Sequence, residues 1–268
     1  MTKEIQFEKY VAAGNDFIVI DNRKGLIKNG ALKAKELCDR KMGIGADGLL
    51  LLEGSKKADV KMRIFNPDGS QAEMCGNGVR CLAHFAVSQK IAKADHTIET
   101  GAGLIGAQVR RNTVNAKLTQ PRGLKLSTRL RVGGHVEMVH FINTGVPHAV
   151  IIQDSLERVD VEGRGEAIRR HAHFAPRGTN VNFIHCAKDV VEVRTYERGV
   201  EGETLACGTG STASALIASS IFGFSSPVRV KTSGGEILKV YFKRKGPVFS
   251  EVWLEGPVRG SFKGGVQI

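Results

Sequence analysis

Two stretches of the chain carry the same helical signature. Val79, Leu82, Ala83, Ala86 and Val87 recur at i, i+3, i+4, i+7 and i+8, and Ala213, Leu216, Ile217, Ser220 and Ile221 repeat that spacing. The pattern predicts two helices, each with one apolar face. Before the first lies VKMRIFNPDGSQAE (60–73), a short strand followed by a Pro-Asp-Gly turn of the kind that reverses a chain. Before the second lies VEVRTYERGVEGETLA (191–206). At the two junctions stand Met74-Cys75-Gly76-Asn77-Gly78 and Ala206-Cys207-Gly208-Thr209-Gly210. Both cysteines are therefore expected at a helix N-terminus, where unpaired amides and the helix dipole favour negative charge. In such a place a thiol pKa falls to roughly 3.5–7.5.

Other segments give the fold class. Phe7 to Asn22 reads as a strand interrupted by Gly14-Asn15-Asp16, Leu32 to Met42 as a helix, and Leu49 to Glu53 as a strand. Thr97 to Leu118 and Val136 to Ile152 alternate in short runs, Glu162 to His173 reads as a helix, and Val181–Ile184 and Val190–Tyr196 as strands. Val228 to Phe242 and Phe249 to Leu254 supply more strands. Few helices among many short strands predict an α+β fold with mixed or antiparallel sheets, not a doubly wound parallel one. GIGADG (43–48) and GAGLIG (101–106) both fit G-x-G-x-x-G. A dinucleotide fingerprint needs strand, glycines, then helix; neither context has that order, and both are rejected.

The similarity extends beyond the cysteine loops. Thr100 follows Cys75 by 25 residues and Thr232 follows Cys207 by 25, while Asn15 precedes the first cysteine by 60 and His148 the second by 59. The chain thus reads as two copies of a unit of about 130 residues, divided as 1–120 and 121–268, with the C-terminal residues free to pack back on the first half. Copies that face each other would set the two thiols on opposite sides of one cleft.

Composition narrows the field. At 268 residues, 41% hydrophobic and 25% charged, the chain is expected to fold as a soluble protein of two domains. The opening MTKEIQFEKYV is charged throughout and reads as no signal peptide, and no apolar run is long enough to span a bilayer. Five cysteines without a paired framework suit a cytoplasmic setting. Cys38, Cys81 and Cys186 read as buried thiols, and the cysteine and histidine spacings match no zinc pattern. The net charge of +12 is spread along the chain with only 6% aromatics, so no nucleic-acid partner is expected. A basic surface would instead draw in a substrate carrying carboxylates.

MCGNG after FNPDG, ACGTG after YERG and GET, GND near the start, PH opening the second half and RGTN between them together resemble the diaminopimelate epimerase family. The resemblance runs from about Phe7 to the last residues. It implies two domains, each with a sheet curled around a central helix, the active site in the cleft between them, and a homodimer. It implies cofactor-independent inversion at an α-carbon, with Cys75 attacking the L,L substrate and Cys207 the meso product. Gly76, Asn77, Gly208 and Thr209 would cradle the α-carboxylate. Asn66, Asn180 and Arg198 match residues that grip the distal amino-acid centre, Glu197 an acid that holds an ammonium group, and Asn15 and His148 residues lining the reacting centre. The substrate would be a small diamino dicarboxylic acid, and neither pyridoxal phosphate nor a metal is expected. Gly48 stands where a glutamine is common and Val146 where an asparagine often precedes Pro-His. Racemisation of proline, hydroxyproline or histidine, or a non-catalytic thiol that binds metal or senses redox state, are the alternatives. Asn77 argues against the proline type, whose first motif usually has histidine there.

Overall fold

The computed structural model describes residues 4–267. The chain forms two compact units: one runs to Lys117 and takes in the chain from Gly256 onward, and the other is Leu118–Glu255.

In the first unit β1 (Glu4–Ala12) and β2 (Asn15–Asp21) form a hairpin turned at Ala13 and Gly14, both with positive φ. Helix α1 (Gly30–Leu37) leads to β3 (Gly48–Glu53), and β4 (Val60–Phe65) with the short β5 (Gln71–Ala72) leads to helix α2 (Gly76–Ser88). Strands β6 (Asp95–Thr100), β7 (Gly103–Arg110) and β8 (Thr113–Lys117) follow. The second unit holds β9 (Arg122–Val132), β10 (His135–Asn143), β11 (Pro147–Ile152), helix α3 (Val161–Arg169), β12 (Asn180–Cys186), β13 (Val190–Glu197) and β14 (Gly202–Thr204). Helix α4 (Gly208–Phe222), β15 (Val228–Lys231), β16 (Ile237–Lys245) and β17 (Val248–Pro257) complete it. The last strand, β18 (Arg259–Gln267), belongs to the first unit, where it pairs antiparallel with β1 from Glu4↔Gln267 to Val11↔Arg259.

The two sheets have one topology. In the first, β18, β1, β2, β3, β4, β6, β7 and β8 lie side by side; in the second, β9, β10, β11, β12, β13, β15, β16 and β17 do. Parallel pairing occurs at β2/β3 and β4/β6, and at β11/β12 and β13/β15. Parallel neighbours need a crossover, and the four helices supply these four crossings. Strand β18 occupies beside β1 the place that β9 occupies beside β10.

Helices cover both faces of the first sheet. Leu49 and Leu51 pack in one apolar cluster with Ala34 and Leu37 of α1, while Leu50 and Leu52 pack in another with Val79, Leu82 and Ala86 of α2. The unbroken leucine run is what a strand buried on both faces requires. Helix α2 touches β1, β2, β3, β4, β7 and β8, and α4 touches β10, β11, β12, β13, β15 and β16, so each sheet curls around its cysteine-bearing helix. Helix α4 is buried from Gly208 to Ser219 apart from the half-buried Thr209. Its Thr212 and Ser214 hydroxyls bond back to the carbonyls of Gly208 and Gly210, which lets a helix rich in hydroxyls lie in a core.

Three sequence expectations shift. The helix expected to reach Met42 ends at Leu37, because the Asp39 carboxylate accepts the amides of Lys41 and Met42, each at 2.7 Å, and folds the chain into a turn. The helix expected to reach His173 ends at Arg169, with a separate 3-10 turn at Ala172–Phe174. Strand β18 lies beyond the last strand expected from the pattern, since RGSFKGGVQ offers little apolar alternation.

Candidate active site

Cys207 is the N-cap of α4, in extended backbone at φ −117° and ψ 115°. Its carbonyl accepts the amide of Ser211 at 2.8 Å, so the amides of Gly208, Thr209 and Gly210 precede the helical ladder. The Gly210 amide donates to Cys207 Sγ at 3.4 Å, and the Thr209 hydroxyl lies 3.4 Å from the same sulfur. Behind Thr209 stands His148, whose Nε2 is 3.0 Å from Thr209 Oγ1. His148 is fully buried; burial first, and then the charge of Arg198, push its pKa down to about 3. It is a neutral imidazole at neutral pH. Thr144 donates to the Thr209 carbonyl at 2.9 Å and holds the loop in place. A side chain at Gly210 would run into Asn182 Oδ1, so the second glycine of this motif is required by a close approach.

The first unit repeats the backbone. Cys75 is the N-cap of α2 at φ −141° and ψ 122°, and its carbonyl accepts the amide of Val79 at 2.8 Å. Its side chain does not cap the helix, and the residue is half-buried where Cys207 is buried. Two residues on, Asn77 Nδ2 donates to Asn15 Oδ1 at 2.6 Å, and Asn77 Oδ1 accepts from Arg80 Nη2 at 2.7 Å. Arg80 is fully buried. Asn15 in turn donates to Asp47 Oδ2 at 3.0 Å. Asp47 shares Arg40 with Asp16, at 2.7 and 2.8 Å. Lys9 also binds Asp16, at 2.8 Å, and donates to the Gly45 carbonyl. Burial pushes the Asp16 carboxyl up, but hydrogen bonds from Arg40 and Lys9 hold it at about 2. Gly78 sets the helix start against the sheet, where an added Cβ would meet Leu50 and Ile64 at 3.2 and 3.3 Å.

The remaining candidates divide between the two units. Glu197, at the end of β13, is half-buried; burial pushes its pKa up, against hydrogen bonds from the Thr204 hydroxyl, at 3.1 Å, and from the Cys207 thiol. Asn180 is buried, with Nδ2 on the Pro147 carbonyl at 3.2 Å and Oδ1 accepting the Arg198 amide at 2.8 Å. The Arg198 guanidinium donates to the Arg177 carbonyl at 3.3 Å. Asn66 is exposed in the turn to Ser70, where its Nδ2 donates to Ser70 Oγ at 2.9 Å. In the first unit Asn15, Gly76, Asn77 and Cys75 come together; in the second Cys207, Gly208, Thr209, His148 and Glu197 do.

The sequence suggests no role for Asp47, Lys9, Thr144 or Asn182, and Arg80 stands out only as a cation within an otherwise apolar helical stretch. Burial pushes the Cys38 thiol up to about 12 and that of Cys186 to about 11. No group of three or more His, Cys, Asp or Glu is arranged to hold a metal ion among the described residues. No helix of those residues is long and apolar enough to cross a membrane.

Known proteins resemble the chain along nearly its whole length. A Diaminopimelate epimerase from Aquifex aeolicus is 43% identical over 97% of each chain. One from a Hydrogenobaculum species is 42% identical over 96% of each. Among solved structures, a phenazine biosynthesis protein of the PhzF family from Bacillus anthracis superposes with a TM-score of 0.75 at 18% identity, covering 99% of this chain and 100% of that one. A hydroxyproline epimerase from Agrobacterium vitis superposes at 0.69 and 16%, covering 99% and 93%. At such identities these two show the fold alone. The family model described as Diaminopimelate epimerase matches residues 7–122 and 140–257, one segment for each cysteine loop, and the chain belongs to the diaminopimelate epimerase family.

Proposed function

We propose that this chain is an isomerase that interconverts L,L- and meso-diaminopimelate in the synthesis of lysine and peptidoglycan precursors. It inverts one α-carbon by proton transfer between Cys75 and Cys207, without pyridoxal phosphate or metal. The observation that carries this reading is the repetition itself: each unit presents one cysteine as the N-cap of a central helix, in the same strand-loop-helix setting. Inversion asks for a base on one face of the α-carbon and an acid on the other. One thiolate takes the proton while the other thiol gives one back, and the two enzyme forms differ only in which sulfur is protonated.

The supporting groups follow from their surroundings. Amides of Gly76, Asn77, Gly208 and Thr209 stand at helix N-termini, where a carboxylate is stabilised, and they cradle the substrate α-carboxylate as charge develops there. Glu197 holds the substrate ammonium. Arg198, with Asn66, recognises the distal carboxylate, for which a guanidinium fork is suited. Asn180 serves that recognition by holding the Arg198 backbone. Asn15 acts at the reacting centre by fixing Asn77, and His148 by fixing Thr209. At Gly48 an added Cβ would crowd the Phe65 carbonyl at 3.1 Å and the Phe17 ring at 3.3 Å; the amide that many relatives are expected to offer there is replaced by packing. The enzyme works as a cytoplasmic homodimer.

Incubation with L,L-diaminopimelate in deuterated water tests the reading. Meso product bearing deuterium at the inverted carbon, with no added cofactor, is expected. Dependence on pyridoxal phosphate, or loss of activity on dialysis against a chelator, would overturn it.

A further inference from the structure

Asn182 stands on β12, two residues beyond Asn180, and like its neighbours His148 and Thr195 it is buried. Its Nδ2 carries two protons and has two partners: the Ala149 carbonyl at 3.1 Å and His148 Nδ1 at 3.0 Å. Its Oδ1 accepts from the Thr195 hydroxyl at 3.0 Å. The N and O of an amide are told apart by their partners, and here the Ala149 carbonyl decides, because a carbonyl only accepts. Nδ2 therefore faces Ala149, and its second proton points at Nδ1.

That direction propagates. A ring nitrogen that accepts carries no proton, so the single proton of the neutral imidazole sits on Nε2. Nε2–H then donates to Thr209 Oγ1 at 3.0 Å. The Thr209 hydroxyl has one proton of its own, and its other contact is Cys207 Sγ at 3.4 Å. With the opposite tautomer, the hydroxyl would turn its proton to Nε2 and present a lone pair to the sulfur. Glu197 faces Cys207, and the charge of Arg198 disfavours the imidazolium; both act on charge and neither sets the tautomer.

We propose that Asn182 is a positioning residue: it fixes His148 as the Nε2–H tautomer and so makes the Thr209 hydroxyl a hydrogen-bond donor to the Cys207 thiolate. The inference rests on the proposed function only for its consequence in turnover. It also explains why the second glycine of the motif meets Asn182 directly, since a larger residue at Gly210 would displace the amide.

Nitrogen-15 NMR of histidine-labelled protein at neutral pH reads the tautomer in the unaltered chain. A His148 ring with Nδ1 bare and Nε2 protonated is expected; a proton on Nδ1 overturns the proposal whatever any variant does. In Asn182→Ala the fixed signature should give way to exchange between tautomers. Iodoacetamide modification of Cys207, followed by peptide mapping, should slow by about tenfold in Thr209→Val, the loss of one hydrogen bond to a charged group, and by less in Asn182→Ala, whose exchanging ring keeps the Nε2–H form part of the time. Thr209→Ser should restore the rate. An unchanged rate in Thr209→Val, or an unchanged ring signature in a folded Asn182→Ala, overturns the proposal. With substrate, kcat should fall while KM holds. If the tautomer and the alkylation rates behave as expected but diaminopimelate is not turned over, the proposed function falls and this inference stands. Normal turnover with the proton on Nδ1 removes this inference alone.

Discussion

In each unit the residue two beyond the cysteine meets a side chain from the strand that opens the first parallel pair. In the first unit Asn77 meets Asn15 of β2; in the second Thr209 meets His148 of β11. The backbone positions match, yet the chemistry differs. Asn77 is locked from both ends, giving a proton to Asn15 and receiving one from the buried Arg80, and the chain of contacts ends on Asp47, Arg40, Asp16 and Lys9. Thr209 is backed by neutral, buried groups, and its hydroxyl reaches the sulfur. Duplication has kept the cysteine at a helix N-terminus twice, while the side chains around it have become a charged clamp in one copy and a neutral, directional chain in the other. Two thiols on equal backbones thus sit in unequal surroundings, as a reaction with two different faces allows.

The largest effect expected is loss of the reaction. Cys75→Ser and Cys207→Ser should each abolish epimerisation, because a hydroxyl is too weak an acid to shuttle the proton, while retaining elimination on a substrate with a β-leaving group, which needs one base. Near-normal epimerisation by either variant, measured by meso product formation, would break the two-thiol reading. Next, Arg198→Ala should raise the barrier for diaminopimelate by about 2–5 kcal/mol, the cost of removing one partner of a desolvated charge pair. Intact kcat/KM would show that Arg198 does not read the distal carboxylate.

Exchanging residues between the two loops sharpens the comparison. Asn77→Thr takes from Arg80 a buried acceptor, and urea titration should show a loss of about 1–3 kcal/mol. The reciprocal Thr209→Asn leaves no buried cation behind and should cost less. The gentlest effect concerns pH. His148 has its pKa lowered to about 3 in the fold, from 6.5, so unfolding takes up a proton between those values. Stability should fall as pH drops through that window, by up to about 1.4 kcal/mol per pH unit from this group. His148→Gln should flatten that slope in urea titrations at pH 6.5, 5.5 and 4.5; an unchanged slope would mean the imidazole is not neutral in the fold.

Much of the site was legible because its signals are local. A cysteine, two glycines and an apolar stripe at helical spacing lie within a few residues, and each has a backbone reason: the thiol at the unpaired amides, the glycine where strand or side chain comes too close. The duplication was legible because equal spacings survive in one dimension. Composition and short alternating runs were enough for the α+β class, although they did not tell parallel from antiparallel neighbours, which depends on how each crossover returns.

What only the tertiary structure decided are contacts between residues far apart in the chain. Arg80 reads as a solvent-facing cation, because arginine is almost never buried without a partner, and Asn77, which accepts its hydrogen bond, is held by Asn15, 62 residues away. Asn182 reads as one more polar residue in a strand; its meaning comes from Ala149 and His148, brought alongside by the parallel pairing of β11 and β12. Strand β18 reads as a glycine-rich tail, and its partner β1 lies at the other end of the chain. Sequence alone determined the groups that helix and turn geometry place by themselves. Which polar side chains face one another, and which way their protons point, was decided by the folded chain, since hydrogen bonds form between neighbours in space and burial makes each one obligatory.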